Sequence, residues 1–120
     1  GNHAQGVAFS CNKLQIMGSI YMPTTTPKQK IEQVRMFGKE YIDIVLTGDT
    51  FDAANYAAIK YAKKSGKTFI PPFDDEKIIE GQGTIGYEMT TQDSRPLDYI
   101  FVPIGGGGLA SGIGAYFKQV

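Results

Sequence analysis

Tyr99-Ile100-Phe101-Val102-Pro103-Ile104-Gly105-Gly106-Gly107-Gly108-Leu109 is the stretch on which the fold turns. Tyr99 to Val102 is a short apolar run of β-forming residues and reads as a strand. Gly105 to Gly108 reads as a tight loop, and Leu109 to about Lys118 carries apolar residues at helical spacing. A strand that feeds a helix through a short glycine loop is the repeating unit of an α/β domain.

The same layout extends back toward the start of the chain. Val7, Ala8, Cys11 and Leu14 recur at helical spacing, which predicts a helix over about Ala4 to Leu14 with those residues inward. Ile16 to Met22 predicts a strand ended by Pro23. Thr26 as N-cap and Pro27 at the first helical position predict the next helix, which Gly38 stops. Tyr41 to Leu46 is the next strand. Gly48-Asp49-Thr50 caps a helix that runs to about Ser65 and ends at Gly66. Thr68 to Ile70 is a further short strand, and Pro71-Pro72 marks a boundary. Asp74-Asp75-Glu76 reads as a cap and first-turn charge for a helix to about Met89, rather than as a metal site. Within it Gly81 and Gly83 weaken a helix by about 1 kcal/mol each relative to Ala, unless a neighbouring backbone approaches closely there. Gln92 to Pro96 is a loop. Alternating strands and helices imply βαβ crossovers and an open parallel sheet with flanking helices.

Composition is that of an ordinary globular chain: 42% hydrophobic and 20% charged over 120 residues, with twelve basic and twelve acidic side chains. The balance gives no basic footprint for nucleic acid. No apolar run approaches the roughly 20 residues of a membrane span. The polar opening Gly1 to Gly6 has no signal-peptide character, and the single Cys11 has no internal disulfide partner. A cytoplasmic location is expected. Cys11 reads as an inert, buried thiol.

Two places carry chemistry. Four consecutive glycines present several N–H groups to one point beside the positive end of the following helix dipole, a geometry that suits a phosphate without a basic side chain. The alternative is a tight turn with no ligand. No Gly-Lys-Ser/Thr follows, so it is not a P-loop, and Gly105, Gly107 and Gly112 lack the spacing of a dinucleotide fingerprint. The second place is the opening Gly1-Asn2-His3-Ala4-Gln5-Gly6. Asn2 stands just before or at a helix start, where capping alone accounts for it. The N–H groups of the Gly1–Ala4 turn suit a carboxylate. His3, the single histidine, is a general base, a hydrogen-bond donor or a structural residue. No second ligand lies near it, so no metal site is expected.

Gly1-Asn2-His3-Ala4-Gln5-Gly6 and Gly105-Gly106-Gly107-Gly108-Leu109 together resemble the threonine/serine dehydratase branch of fold-type II pyridoxal 5′-phosphate (PLP) enzymes. Met22-Pro23, Pro27-x-x-Lys30, Gly48-Asp49-Thr50-Phe51-Asp52, Pro72-Phe73-Asp74 and Gly81-Gln82-Gly83-Thr84 carry the same resemblance. It covers the whole chain and is strongest to the bacterial biosynthetic threonine dehydratases. Cysteine synthases carry Thr where His3 stands and threonines within the phosphate loop.

The resemblance implies a tryptophan-synthase-β-like fold. Residues 1–69 would form most of the small mobile α/β domain, and residues 70–120 part of the larger PLP-binding domain. It implies that Asn2 bonds the cofactor's 3′-oxygen and that Gly105, Gly106, Gly107, Gly108 and Leu109 hold its phosphate. Gly1, Asn2 and His3, with neighbouring backbone, would hold the substrate carboxylate. The implied activity converts L-threonine to 2-oxobutanoate and ammonia, in isoleucine biosynthesis, in a homo-oligomeric parent. The family's Schiff-base lysine lies upstream of the Asn-His loop, so no catalytic residue is assigned here. The chain is expected to be an internal fragment, inactive alone and marginal or self-associating. A serine racemase or serine dehydratase type of PLP enzyme is the near alternative. A non-enzymatic phosphate- or nucleotide-binding α/β module is the more distant one.

Overall fold

A computed structural model describes residues 1–93 and 95–120. The chain divides into two compact units, Gly1–Ile70 and Pro71–Val120.

In the first unit the order is α1 (Asn2–Leu14), β1 (Gly18–Met22), α2 (Lys28–Gly38), a single 3₁₀ turn at Lys39–Tyr41, β2 (Ile42–Leu46) and α3 (Phe51–Ser65). β1 and β2 pair in parallel, with Gly18 opposite Ile42 and Met22 opposite Leu46. Parallel neighbours need a crossover, and α2 supplies it. Side chains alternate across the sheet. Ile20 and Met22 therefore face a core shared with Ala8 of α1 and Val34 of α2. Tyr21 points the other way, its ring 5.7 Å from that of Tyr61 in α3. Helices thus cover both faces, as a parallel sheet requires. Val34 is 1% exposed, and burial of a side chain of this size contributes roughly 1.5–3 kcal/mol.

The carboxyl ends of the two strands are tied beyond the ladder. Thr47 N–H donates to the Met22 carbonyl (2.9 Å), and Thr24 N–H and Oγ1 both donate to that of Gly48 (2.8 and 2.7 Å). Thr24, Thr25 and Thr26 belong to a turn in which Thr26 N–H donates to the Pro23 carbonyl. This corrects the expected cap. Thr26 is held in that turn, Pro27 keeps an extended ψ of 137°, and α2 begins one residue later without a side-chain cap. The cap of α3 matches expectation: Thr50 accepts from Ala53 N–H, and Gly66 closes the helix at φ 70°. Leu14, expected inward, is 66% exposed at the end of α1. Cys11 is half-buried, which pushes its thiol pKa up and disfavours the reactive thiolate.

The second unit is a helix pair, α4 (Glu76–Gln92) and α5 (Gly108–Gln119). Asp75 caps α4 by accepting from Lys77 and Ile78 N–H. The helices meet backbone to backbone. A Cβ on Gly83 would lie 3.2 Å from the Gly112 carbonyl oxygen, and one on Gly112 would overlap Ile79 O and come within 2.6 Å of Gly83 N. Gly83 therefore marks a close approach. Gly81 does not, because a Cβ there would meet open space.

Two expected strands are not formed. Thr68–Ile70 and Tyr99–Val102 belong to no ladder, and β1 and β2 are the strands among the described residues. A strand exists only with a ladder partner, and neither segment has one here. Tyr99 and Phe101 are 83% and 94% exposed while Ile100 and Val102 are partly covered, which is the alternation of a strand without a neighbour. The loop expected over 92–96 contains Ser94, which lies outside the described residues.

Candidate functional site

Each unit carries one of the two loops. In the first unit α1 starts at Asn2, two residues earlier than the periodicity predicts, with Gly1 as N-cap and no side-chain cap. Asn2 is therefore the first helical residue and not the cap itself. Gln5 N–H already reaches the Gly1 carbonyl at 3.3 Å. The N–H groups of Asn2, His3 and Ala4 stand before the first intrahelical bond and lack helical acceptors. Three donors and the positive end of the helix dipole converge there. Gly1 and Asn2 are exposed, so a small anion can reach them.

His3 is half-buried in the same first turn. Its Nε2 lies 3.1 Å from the carbonyl oxygen of Ile70, the last residue of the unit. A carbonyl oxygen only accepts, so Nε2 carries the proton and the Nδ1 lone pair remains. Burial lowers the His3 pKa from its ordinary value, and the Ile70 carbonyl partly offsets this. The imidazole is thus neutral near pH 7. It brings no positive charge to a carboxylate at this turn, and the donors for one are backbone groups.

In the second unit Gly107 is the N-cap of α5, in the left-handed region at φ 91°, and no side chain caps the helix. Only glycine takes that angle without strain. Ser111 N–H bonds the Gly107 carbonyl at 2.9 Å, which leaves the N–H groups of Gly108, Leu109 and Ala110 without helical acceptors. The neighbouring glycines are needed for a different reason. A Cβ on Gly106 would overlap the Phe73 ring, and one on Gly108 would come within 2.9 Å of the Phe73 carbonyl oxygen. Gly105 faces open space. Phe73 is thus the floor of the glycine loop, a role that the sequence reading missed. Its signal was the Pro72-Phe73-Asp74 triplet, more than thirty positions upstream of the loop.

α3 and α4 satisfy their first N–H groups with Thr50 and Asp75. α1 and α5, like α2, have no side-chain cap and leave theirs to a ligand or to water. A phosphate needs several convergent donors, and the N–H groups of Gly108, Leu109 and Ala110 at the start of α5 supply them. No group of three or more His, Cys, Asp or Glu side chains is placed to hold a metal among the described residues. None of their helices is long and apolar enough to cross a membrane.

Comparison with known proteins gives a consistent result. A family model described as pyridoxal-phosphate dependent enzyme matches residues 1–120. The chain is similar to L-threonine dehydratase biosynthetic IlvA of Halalkalibacterium halodurans, with 58% identity over 120 residues, all of this chain and 29% of that protein. Similarity to the Bacillus subtilis protein of the same name is 52% over 120 residues, covering 28% of it. Among solved structures, the processed form of threonine deaminase isoform 2 from Solanum lycopersicum superposes with a TM-score of 0.85 at 49% identity, over 100% of this chain and 32% of that one. Maize serine racemase superposes with a TM-score of 0.88 at 32% identity, over 99% and 35%. The chain spans about 29% of the length of the first of these relatives.

Proposed function

Because this chain belongs to the pyridoxal-phosphate dependent enzyme family, we propose that it supplies two of the ligand-holding loops of a PLP-dependent threonine dehydratase. The observation that carries this reading is the 58% identity to a biosynthetic threonine dehydratase, together with two uncapped helix starts at the positions where a carboxylate and a phosphate are expected. The α/β architecture agrees with that of the fold-type II members it superposes on.

Gly105, Gly106, Gly107, Gly108 and Leu109 hold the cofactor phosphate through backbone N–H groups. Asn2 donates to the cofactor's 3′-oxygen. Gly1, Asn2 and His3 hold the substrate carboxylate by their backbone. PLP, when bound, supplies the electron sink that makes loss of the α-proton and of the β-hydroxyl feasible. The protein's share is orientation: fixing the carboxylate fixes which bond at Cα faces the reacting groups. The net reaction takes L-threonine to 2-oxobutanoate and ammonia, the entry to isoleucine synthesis, in a cytoplasmic homo-oligomer. The unit Gly1–Ile70 serves as most of the small mobile domain and Pro71–Val120 as part of the PLP domain.

Relatives extend well beyond the region matched here, so the 120-residue chain by itself is expected to turn over no threonine. The deciding experiment is a substrate profile of the full-length protein that carries this sequence. PLP-dependent release of 2-oxobutanoate from L-threonine, faster than pyruvate from L-serine and without racemisation, supports the reading. Racemisation of serine as the main activity favours the serine racemase alternative, which the 0.88 superposition on maize serine racemase keeps in view. Phosphate or nucleotide binding without PLP binding would leave only the non-enzymatic module.

A further inference from the structure

We propose that the His3 imidazole is a positioning residue: its hydrogen bond to the Ile70 carbonyl holds the turn whose N–H groups take the substrate carboxylate. This rests on the reading of that turn as the carboxylate site.

Among the described residues the turn has few other anchors. Gly1 is exposed and a Cβ on it would meet nothing, and the Gln5–Gly1 backbone bond is long at 3.3 Å. The His3–Ile70 bond is the one side-chain hydrogen bond made from residues 1–4 among the described residues. The Ile70 carbonyl in turn lies in a segment with no ladder, so the imidazole is its partner. Each group thus satisfies the other across 67 positions of sequence.

The hydrogen bond commits Nε2 and leaves Nδ1 as the ring's one basic atom, so tether and base are separable roles. Nε2 is engaged as a donor, and burial holds the ring neutral with only Nδ1 free. A neutral, tethered ring orients backbone donors and adds no charge. Tethering at Ile70 has a second consequence. Ile70 is the residue at which the first unit ends, so displacement of its carbonyl is transmitted to the carboxylate turn through one hydrogen bond.

The test uses the full-length protein with His3→Ala and His3→Gln. The Gln side-chain nitrogen reaches about as far from Cα as imidazole Nε2 and donates a proton, but it cannot act as a base. Steady-state kinetics with L-threonine and hydrogen exchange over the start of α1 are read together. The expected result for His3→Ala is a KM raised about tenfold or more with kcat changed by less than about threefold, since lost ground-state binding appears in KM. Exchange at residues 5–7, whose N–H groups close the first turn of α1, is expected to quicken. His3→Gln should restore both readouts to near the parent values. An unchanged KM and exchange in His3→Ala overturns the proposal. So does a kcat fallen about a hundredfold in both variants at constant KM, the signature of a lost general base. If the parent protein does not act on threonine, the proposed reaction fails separately. The exchange pattern then decides the tether alone: protection lost in His3→Ala and kept in His3→Gln upholds it, and equal exchange in all three overturns it.

Discussion

The Phe73 ring occupies the space that a side chain on Gly106 would need. Gly106 does not take a positive φ, so the demand at this position is steric alone. Gly106→Ala must therefore displace either the ring or the loop. In the full-length protein PLP affinity is expected to fall by roughly tenfold or more, an overpacking effect of about 1–3 kcal/mol. Phe73→Ala should relieve it, so the double variant should lose less than the two single losses added together. Titration of cofactor absorbance in all four proteins checks this. Simple additivity would separate the loop from the ring.

Gly112 and Gly114 lie two residues apart in α5 and should respond in opposite directions to the same change. A Cβ on Gly112 meets the backbone of α4, whereas one on Gly114 meets nothing within 4 Å. Gly112→Ala should push the helices apart and destabilise by about 1–3 kcal/mol. Gly114→Ala should stabilise by roughly 0.5–1 kcal/mol through helix propensity. Chemical denaturation followed by circular dichroism reads both. Similar signs for the two variants would contradict the contact between α4 and α5.

These two helices also show how far the sequence could be read. Signals that act within one turn were legible: Thr50, Gly66 and Asp75 end or begin their helices where their side chains and φ angles predict. The apolar alternation in β1 and β2 was legible because both partners lie in the same unit. Thr68–Ile70 and Tyr99–Val102 carry the same local signal without a ladder partner, and pairing is not a local property. Thr26 misled for a related reason, because the turn from Pro23 competes for its backbone. At the site, the glycine run and the Asn2-His3 start were visible as helix-terminal donors. Phe73 under Gly106 and Ile70 beside His3 were not, since each joins residues far apart in sequence.

Tyr99, Phe101 and Ile104 are 83%, 94% and 76% exposed along one segment. An exposed apolar stretch of this kind recruits another chain. The 120-residue chain is expected to self-associate at micromolar concentration, and Phe101→Lys should shift it toward monomer by placing a charge on that stretch. Sedimentation velocity of both forms tests this. A parent chain that runs as a monomer with a sharp cooperative melt would show that the stretch is not sticky.

The depressed His3 pKa makes a signed prediction about stability. Burial is the main cause, opposed by the Ile70 hydrogen bond. The folded form therefore resists protonation of His3 more than the unfolded chain does. Unfolded chains bind the proton near pH 6.5, so between there and the lower folded pKa the unfolded state carries more protons and stability rises with pH. The His3 contribution is complete above about pH 7 and is lost as pH falls through the unfolded value toward the folded one. Protonation at Nδ1 keeps the Nε2–H donor, so what is lost is the preference of a half-buried ring for its neutral form, not the hydrogen bond. His3→Gln removes the titration and keeps a donor. Its melting temperature should change less than that of the parent between pH 7 and pH 5, with the two curves separating as the solution is made more acid. Parallel curves over that range would mean that His3 titrates with the same pKa folded and unfolded, and that burial of the ring does not hold it neutral.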